Sequence, residues 1–409
     1  MQRWLKLTKY FPSFGWLPTV LTTENGDYPY IDESLLNKVS NEIRVIRTKT
    51  PSFGKMLKSL LGEKENLPYG SLQTTEKDPF LKKLLYQIRV QMVSPDARLL
   101  WNQSAFKVAE KTLRTGMYHA IITTGPPHST HLIGLKLKNK YNVKWIADFR
   151  DPWSKIYYLE NESRNAIVKQ IDSYLEKKVL DKADAVVTVS DKFSSSLCSG
   201  NKKIIPNAFD PDDFTTKYYR KTTRFRIKFV GALTESRKHE VLNTLCWIDE
   251  YAKEKQIDNI EFTLIGAFES PPKNIKRKIP NLHFRNLKFI EHEKVIDECV
   301  SSEMLLLVIN KAKNNEGILT YKLYEYIGSR TFIMGVGPQN SDVRNVLSEM
   351  KGGEIFDYHE KDEFICKFND LYEKWQRGEC IKNTSDISEF SLPSICSKYA
   401  DLLESITLR

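Results

Sequence analysis

The chain has 409 residues, enough for two domains that each bury a core; 41% apolar and 28% charged residues exclude a disordered chain. Its net charge of +10 favours polyanionic partners, whether nucleic acid, anionic lipid or a phosphorylated substrate. The longest purely apolar run, MLLLVI at 304–309, is far too short for a membrane span.

In chain order, the first segment, MQRWLKLTKY, lacks the continuous apolar stretch and small-residue cleavage site of a secretory leader, so a cytoplasmic, soluble chain is expected. Short β-branched runs then alternate with longer amphipathic ones. Strands are expected at 18–22, 43–47, 119–124, 143–149, 184–190 and 202–206, with helices near 81–92, 102–115, 129–140, 164–182 and 191–199. A second series places strands at 225–231, 260–266, 303–309, 331–337 and 354–358, and helices near 238–254, 291–300, 320–328, 341–350 and 360–376. This alternation calls for parallel sheets covered by helices. PNAFDPDDF at 206–214 reads as the break between domains, because its Pro, Asn and Asp residues favour a turn. The expected units are 1–206, 207–380 and a C-terminal helical segment, 381–409, packing back on the first domain.

The basic clusters KNIKRK (273–278) and LKLKNK (135–140) are short and carry no nucleic-acid motif, so they read as solvated faces. KMLKSLLGEK at 55–64 puts Met56, Leu57, Leu60 and Leu61 on one helical face beside lysines, a weak interfacial pattern. The six cysteines are scattered, without the close pairs of a zinc or redox motif. Asp210 to Asp212 spell Asp-Pro-Asp, but in a linker turn, where aspartate caps and turns the chain; no metal is expected there.

Two stretches are candidates for chemistry. TTGPPHSTHLIGL, at 123–135, follows a strand, and ligands in doubly wound sheets bind beyond the carboxyl ends of strands. His128 follows the paired prolines, where helix is disfavoured, and is expected to contact substrate; His131, in the first helical turn, packs or caps. Asp148, Arg150 and Asp151 end the next strand at the same edge, and an internal Arg–Asp pair shaping the loop is the plain alternative to ligand recognition there. The second stretch, NNEGILTYKLYEYIGSRTFIMGVG at 314–337, places Glu316 in a loop, a helix start near Thr320, and Glu325 in the second turn. A helix N-terminus suits a diphosphate, Lys322 adds charge, and Glu325 or Glu316 could accept hydrogen bonds from a ribose diol. An ordinary loop-helix-strand unit with two solvated glutamates fits the same letters.

EGILTYKLYEYIGSRTFIMGVG resembles the donor-sugar segment of family 4 of the glycosyltransferases, which have the GT-B fold: two Rossmann-like, doubly wound α/β domains facing a central cleft. SPDARLLW (94–101), TTGPPHSTHLIGLKL with WIADFRDPW (145–153), and IIPNAFDPDDF resemble, in register, a bacterial branch of that family. The resemblance covers nearly the whole chain. It implies metal-independent sugar transfer with retention from a nucleotide sugar to a glycan or lipid-linked acceptor, in surface polysaccharide synthesis. The nucleotide sugar is then a substrate and no cofactor is needed; peripheral contact with the inner membrane surface is expected, and no nucleic acid.

Carried over by position, Glu325 matches the glutamate that holds the donor ribose, and Glu316 the one near the transferred sugar. GILTYKLY separates them by one residue more than the family's usual seven, which puts the role of Glu316 in question. GALTESRK (231–238) resembles the loop whose basic residues bind the diphosphate, which points to Arg237 and then Lys238. Arg150 stands where many relatives have a histidine, which implies charge recognition rather than proton transfer.

The family opens with a strand and glycine-rich loop ahead of the helix that QRWLKLTKYF resembles, and the printed sequence begins at that helix. A gap in the first sheet and a weaker site are the expected consequences, with impaired activity or a non-catalytic scaffold as one outcome. A nucleotide-sugar epimerase of the same fold is the other rival.

Overall fold

In the computed structural model the described residues are 2–24, 26, 32–50, 94–154, 164–233, 235–266, 275–288 and 290–408. The interfacial pattern at 55–64 and the helix expected near 81–92 lie outside them. The chain forms two compact units, one of Thr8–Ile205 with Cys396–Arg409, the other of Met1–Leu7 with Pro206–Ile395.

The unit built on Thr8–Ile205 contains two parallel sheets. β1 (Thr19–Thr23) pairs with β2 (Arg44–Thr48); β3 (Ala120–Gly125), β4 (Lys144–Phe149), β5 (Ala185–Thr188) and β6 (Lys202–Ile204) form the other, in that order. Among the described residues no ladder joins β1 to β3. Both strands nevertheless pack on one cluster, where Leu21 and Ile121 meet Trp101, Ala105, Ile133 and Leu137. Tyr118, just before β3, donates its hydroxyl to Thr19 Oγ1 at 3.3 Å. β4 and β5 are almost wholly buried, as continuous apolar runs inside a parallel sheet should be.

Helix Ser129–Tyr141 lies close on β4, because a Cβ on Gly134 would stand 2.5 Å from the Trp145 indole. That indole is fully buried and donates to Thr123 Oγ1 at 2.9 Å. Gly134→Ala is expected to destabilise this unit by about 2 kcal/mol, since overpacking outweighs the gain in helix propensity. Urea unfolding measures this, and an unchanged midpoint would show the contact to be relaxed.

In the other unit, six parallel strands run in the order β12-β11-β10-β7-β8-β9. They are β7 (Phe225–Val230), β8 (Ile260–Ile265), β9 (His283–Leu287), β10 (Met304–Val308), β11 (Phe332–Val336) and β12 (Gly353–Phe356). Alternation along β10 divides the core. Met304, Leu306 and Val308 join a cluster with Val241, Leu245, Phe364 and Phe368; Leu305 and Leu307 join another with Leu323, Ile327, Val343 and Leu347. The first set of partners lies on helices Glu235–Glu254 and Lys361–Gln376, the second on Tyr321–Gly328 and Asp342–Met350. Helices therefore cover both faces of the sheet.

β9 is absent from the sequence reading. Only Phe284 and Leu287 of HFRNL are partly buried, so this edge strand carries no apolar run to announce it.

Candidate functional site

Strand order in the six-stranded sheet reverses between β7 and β10. Ligands of open parallel sheets bind beyond the carboxyl ends of the strands at such a reversal. Here β7 runs into Gly231, and β10 runs into the loop that leads to helix Tyr321–Gly328. The helix is tied to the end of β7, where Val230 N–H donates to the Tyr326 hydroxyl at 2.8 Å. That bond brings Lys322 across Gly231. A Cβ on Gly231 would lie 3.6 Å from Lys322 Cε and 3.8 Å from Arg237 Nη1, so two cations from different helices meet over one backbone position. Thr320 caps the helix from an extended conformation, and its side chain makes no capping bond. Leu323 N–H donates back to Thr320 O at 3.1 Å, which leaves the N–H groups of Tyr321 and Lys322 without an intrahelical partner. Two fixed cations and free N–H groups make a seat for a diphosphate.

Glu325 lies in the second turn and is 4% exposed. His292, at the start of helix His292–Val300, donates Nε2–H to Glu325 Oε1 at 2.8 Å. The second carboxylate oxygen takes no hydrogen bond among the described residues. Burial pushes the carboxyl up, but the His292 bond and the Lys322 charge outweigh it and hold the group below its ordinary value. Glu325 is therefore an anionic acceptor with one oxygen committed. Sequence reasoning missed His292, which is 33 residues away.

Glu316 is half-exposed in the loop, where its carbonyl accepts from Asp342 N–H at 2.9 Å. Tyr358, whose hydroxyl donates to Ile309 O, lies near its charge. Lys238 follows Arg237 on helix Glu235–Glu254 and is half-buried.

The other unit places its candidates differently from expectation. His128 is only 6% exposed, its ring stacked on Trp153 at 5.2 Å with Nε2–H donating to Pro152 O at 3.2 Å. Its backbone is helical (φ −74°, ψ −21°), so the prolines do not keep this position extended. Burial holds its imidazole well below the usual value, helped by His131 and Arg150; His131 is pushed down to about 3. Both rings are thus neutral. A Cβ on Gly125 would stand 2.7 Å from His128 Nδ1 and 2.6 Å from His131 Nε2, so only glycine fits there. His131 stacks on Phe149 at 4.4 Å and bonds Thr123 Oγ1 through Nδ1.

Arg150 forms no ion pair among the described residues. Its guanidinium donates to the carbonyls of Gly125 and Pro126, which closes the loop. Asp148 is fully buried and accepts from Thr124 and from Tyr399 of helix Leu392–Thr407. Asp151 is exposed. Asp96 of SPDARLLW accepts from both Ser129 N–H and Ser129 Oγ, at 2.8 and 2.7 Å, so two motifs far apart in sequence are joined. In the linker, Asp210 caps the turn Pro211–Asp213, and Asp213 forms a buried pair with Lys6 at 2.6 Å.

No family model matches the chain, and no curated protein matches it by sequence. Solved structures do. Anabaena HepE, crystallised with UDP-glucose, superposes with a TM-score of 0.57 at 13% identity over 95% of this chain and 99% of that one. OtsA without ligand gives 0.55 at 11%, over 95% and 99%. The fold is GT-B. A Listeria monocytogenes protein assigned as a UDP-N-acetylglucosamine 2-epimerase also matches, with a TM-score of 0.51 at 9% identity over 95% and 96%. GT-B proteins thus include different chemistries, and the side chains around Gly231 must carry any functional reading.

Proposed function

We propose that the chain is a glycosyltransferase that moves a sugar from a nucleotide donor to a hydroxyl of a glycan or lipid-linked acceptor. The observation that carries this is the meeting of Arg237 and Lys322 over Gly231, at the strand reversal of a GT-B sheet. HepE, of the same fold, is known with UDP-glucose bound. When the bond between sugar and diphosphate breaks, negative charge grows on the leaving phosphates. Arg237 and Lys322 stabilise that charge, and no metal is needed for this task. Glu325, charged and braced by His292, accepts from the ribose hydroxyls through its free oxygen. Thr320 and Lys238 flank the phosphates, and Glu316 borders the transferred sugar.

In this proposal transfer proceeds with retention, in surface polysaccharide synthesis, on the cytoplasmic side of a membrane that the protein touches peripherally. Acceptor recognition falls to the two loops after β3 and β4, which bear His128, Arg150 and Asp151. The first two act there through loop shape, since each bonds to the other loop's backbone.

Donor hydrolysis with release of nucleoside diphosphate tests the reading. Glu325→Ala is expected to weaken donor affinity at least tenfold, the worth of about 1.4 kcal/mol, since bonds to a charged acceptor contribute about 1.5–3 kcal/mol. Unchanged affinity would remove Glu325 from the site. The epimerase likeness supports a second reading, in which the sugar is inverted at one carbon without an acceptor. Incubation with a nucleotide sugar and lipid extract separates the two, because only a transferase labels the lipid.

A further inference from the structure

We propose that helix Ala166–Lys182 docks on an anionic lipid surface. Ile167, Ile171 and Tyr174 are 68%, 44% and 57% exposed. Spacings of four and three residues put them on one side of the helix, and Lys178 continues the row a turn later. Lys178 Nζ stands 4.5 Å over the Tyr174 ring. The opposite side is firmly packed, with Val168, Val179 and Leu180 buried, so the exposed row sits on an anchored element.

Charge is sorted across the same helix. Its acids Asp172 and Glu176 turn inward, where Arg164 and Ser94 bind the first and Ser154 the second. Asp181, the acid left at the surface, is neutralised by Lys177 at 2.7 Å. Lys178 and Lys182 are exposed and make no ion pair among the described residues. An outward face of large apolar side chains bordered by unpaired lysines, on a chain of net charge +10, complements a surface that is apolar within and negative at its rim. Free phosphate would satisfy the lysines but leave the isoleucines in water.

This inference rests on the peripheral membrane contact of the proposed function and names its surface; its grounds are exposure and charge, independent of the donor site. The test is flotation of the full chain with vesicles of phosphatidylcholine alone or mixed with phosphatidylglycerol. The wild type is expected to bind the mixed vesicles at least tenfold better, and to be released by high salt. An Ile171→Ser, Tyr174→Ser double variant and a Lys178→Glu, Lys182→Glu double variant should each lose at least tenfold in binding. Both should keep the wild-type melting temperature and donor hydrolysis. Equal binding to neutral vesicles, or variants that float like the wild type, would overturn the proposal. So would a wild type that ignores vesicles but self-associates through this row, which would make it a protein interface. If donor hydrolysis is absent throughout, the nucleotide reading fails while flotation still decides this one.

Discussion

Replacing Arg237 and Lys322 together by alanine is expected to lower kcat/KM for the nucleotide sugar roughly a thousandfold. Each charge-assisted bond to phosphate contributes about 1.5–3 kcal/mol; the two side chains meet over Gly231 and share one ligand, so their losses couple, and about 4 kcal/mol is expected for the pair. Much of the loss should appear in kcat, because the charge they meet grows as the leaving group departs. Both side chains are half-buried rather than core residues, so the melting temperature should stay near that of the wild type. A double variant within threefold of wild type would mean that these cations do not face the phosphates.

The second large effect comes from a residue with no functional group. Gly266, after β8, has φ +146°, a conformation that L side chains rarely adopt. A Cβ there would lie 2.4 Å from Gly231 O and 2.8 Å from Gly231 C, contacts with main chain that no rotamer change relieves. Gly266→Ala must therefore displace the backbone beneath Arg237 and Lys322. The expected result is at least a tenfold fall in donor affinity, together with a stability loss of about 1–3 kcal/mol from backbone strain. Gly200→Ala is the control, because a Cβ at Gly200 meets nothing within 4 Å. Equal donor affinity in the two variants would show that the loop at Gly231 is not a binding surface.

Much of the architecture was legible in local patterns. MLLLVI is apolar on both sides because helices cover both faces of its sheet, and period and turn residues marked most helix limits. β9 was not legible, since an edge strand with exposed His283 and Arg285 reads as loop. At the site, Lys322 and Glu325 were visible because helix phase places them near the N-terminus. His292 and Gly266 act through space on partners outside their own segments, and nothing in their local sequence marks this. At TTGPPHSTH the stack of His131 on Phe149 agrees with a ring that packs in the first helical turn. His128, expected at a substrate, is instead buried against Trp153, which arrives from the loop after the next strand and is not marked in the local sequence.

Calorimetric titration with UDP, GDP and ADP, comparing the wild type with Lys322→Ala, tests the central claim most directly. At least one of these diphosphates should bind the wild type with a micromolar Kd and bind the variant at least tenfold more weakly. Binding of none, or equal affinity in wild type and variant, would contradict a diphosphate seat at Gly231.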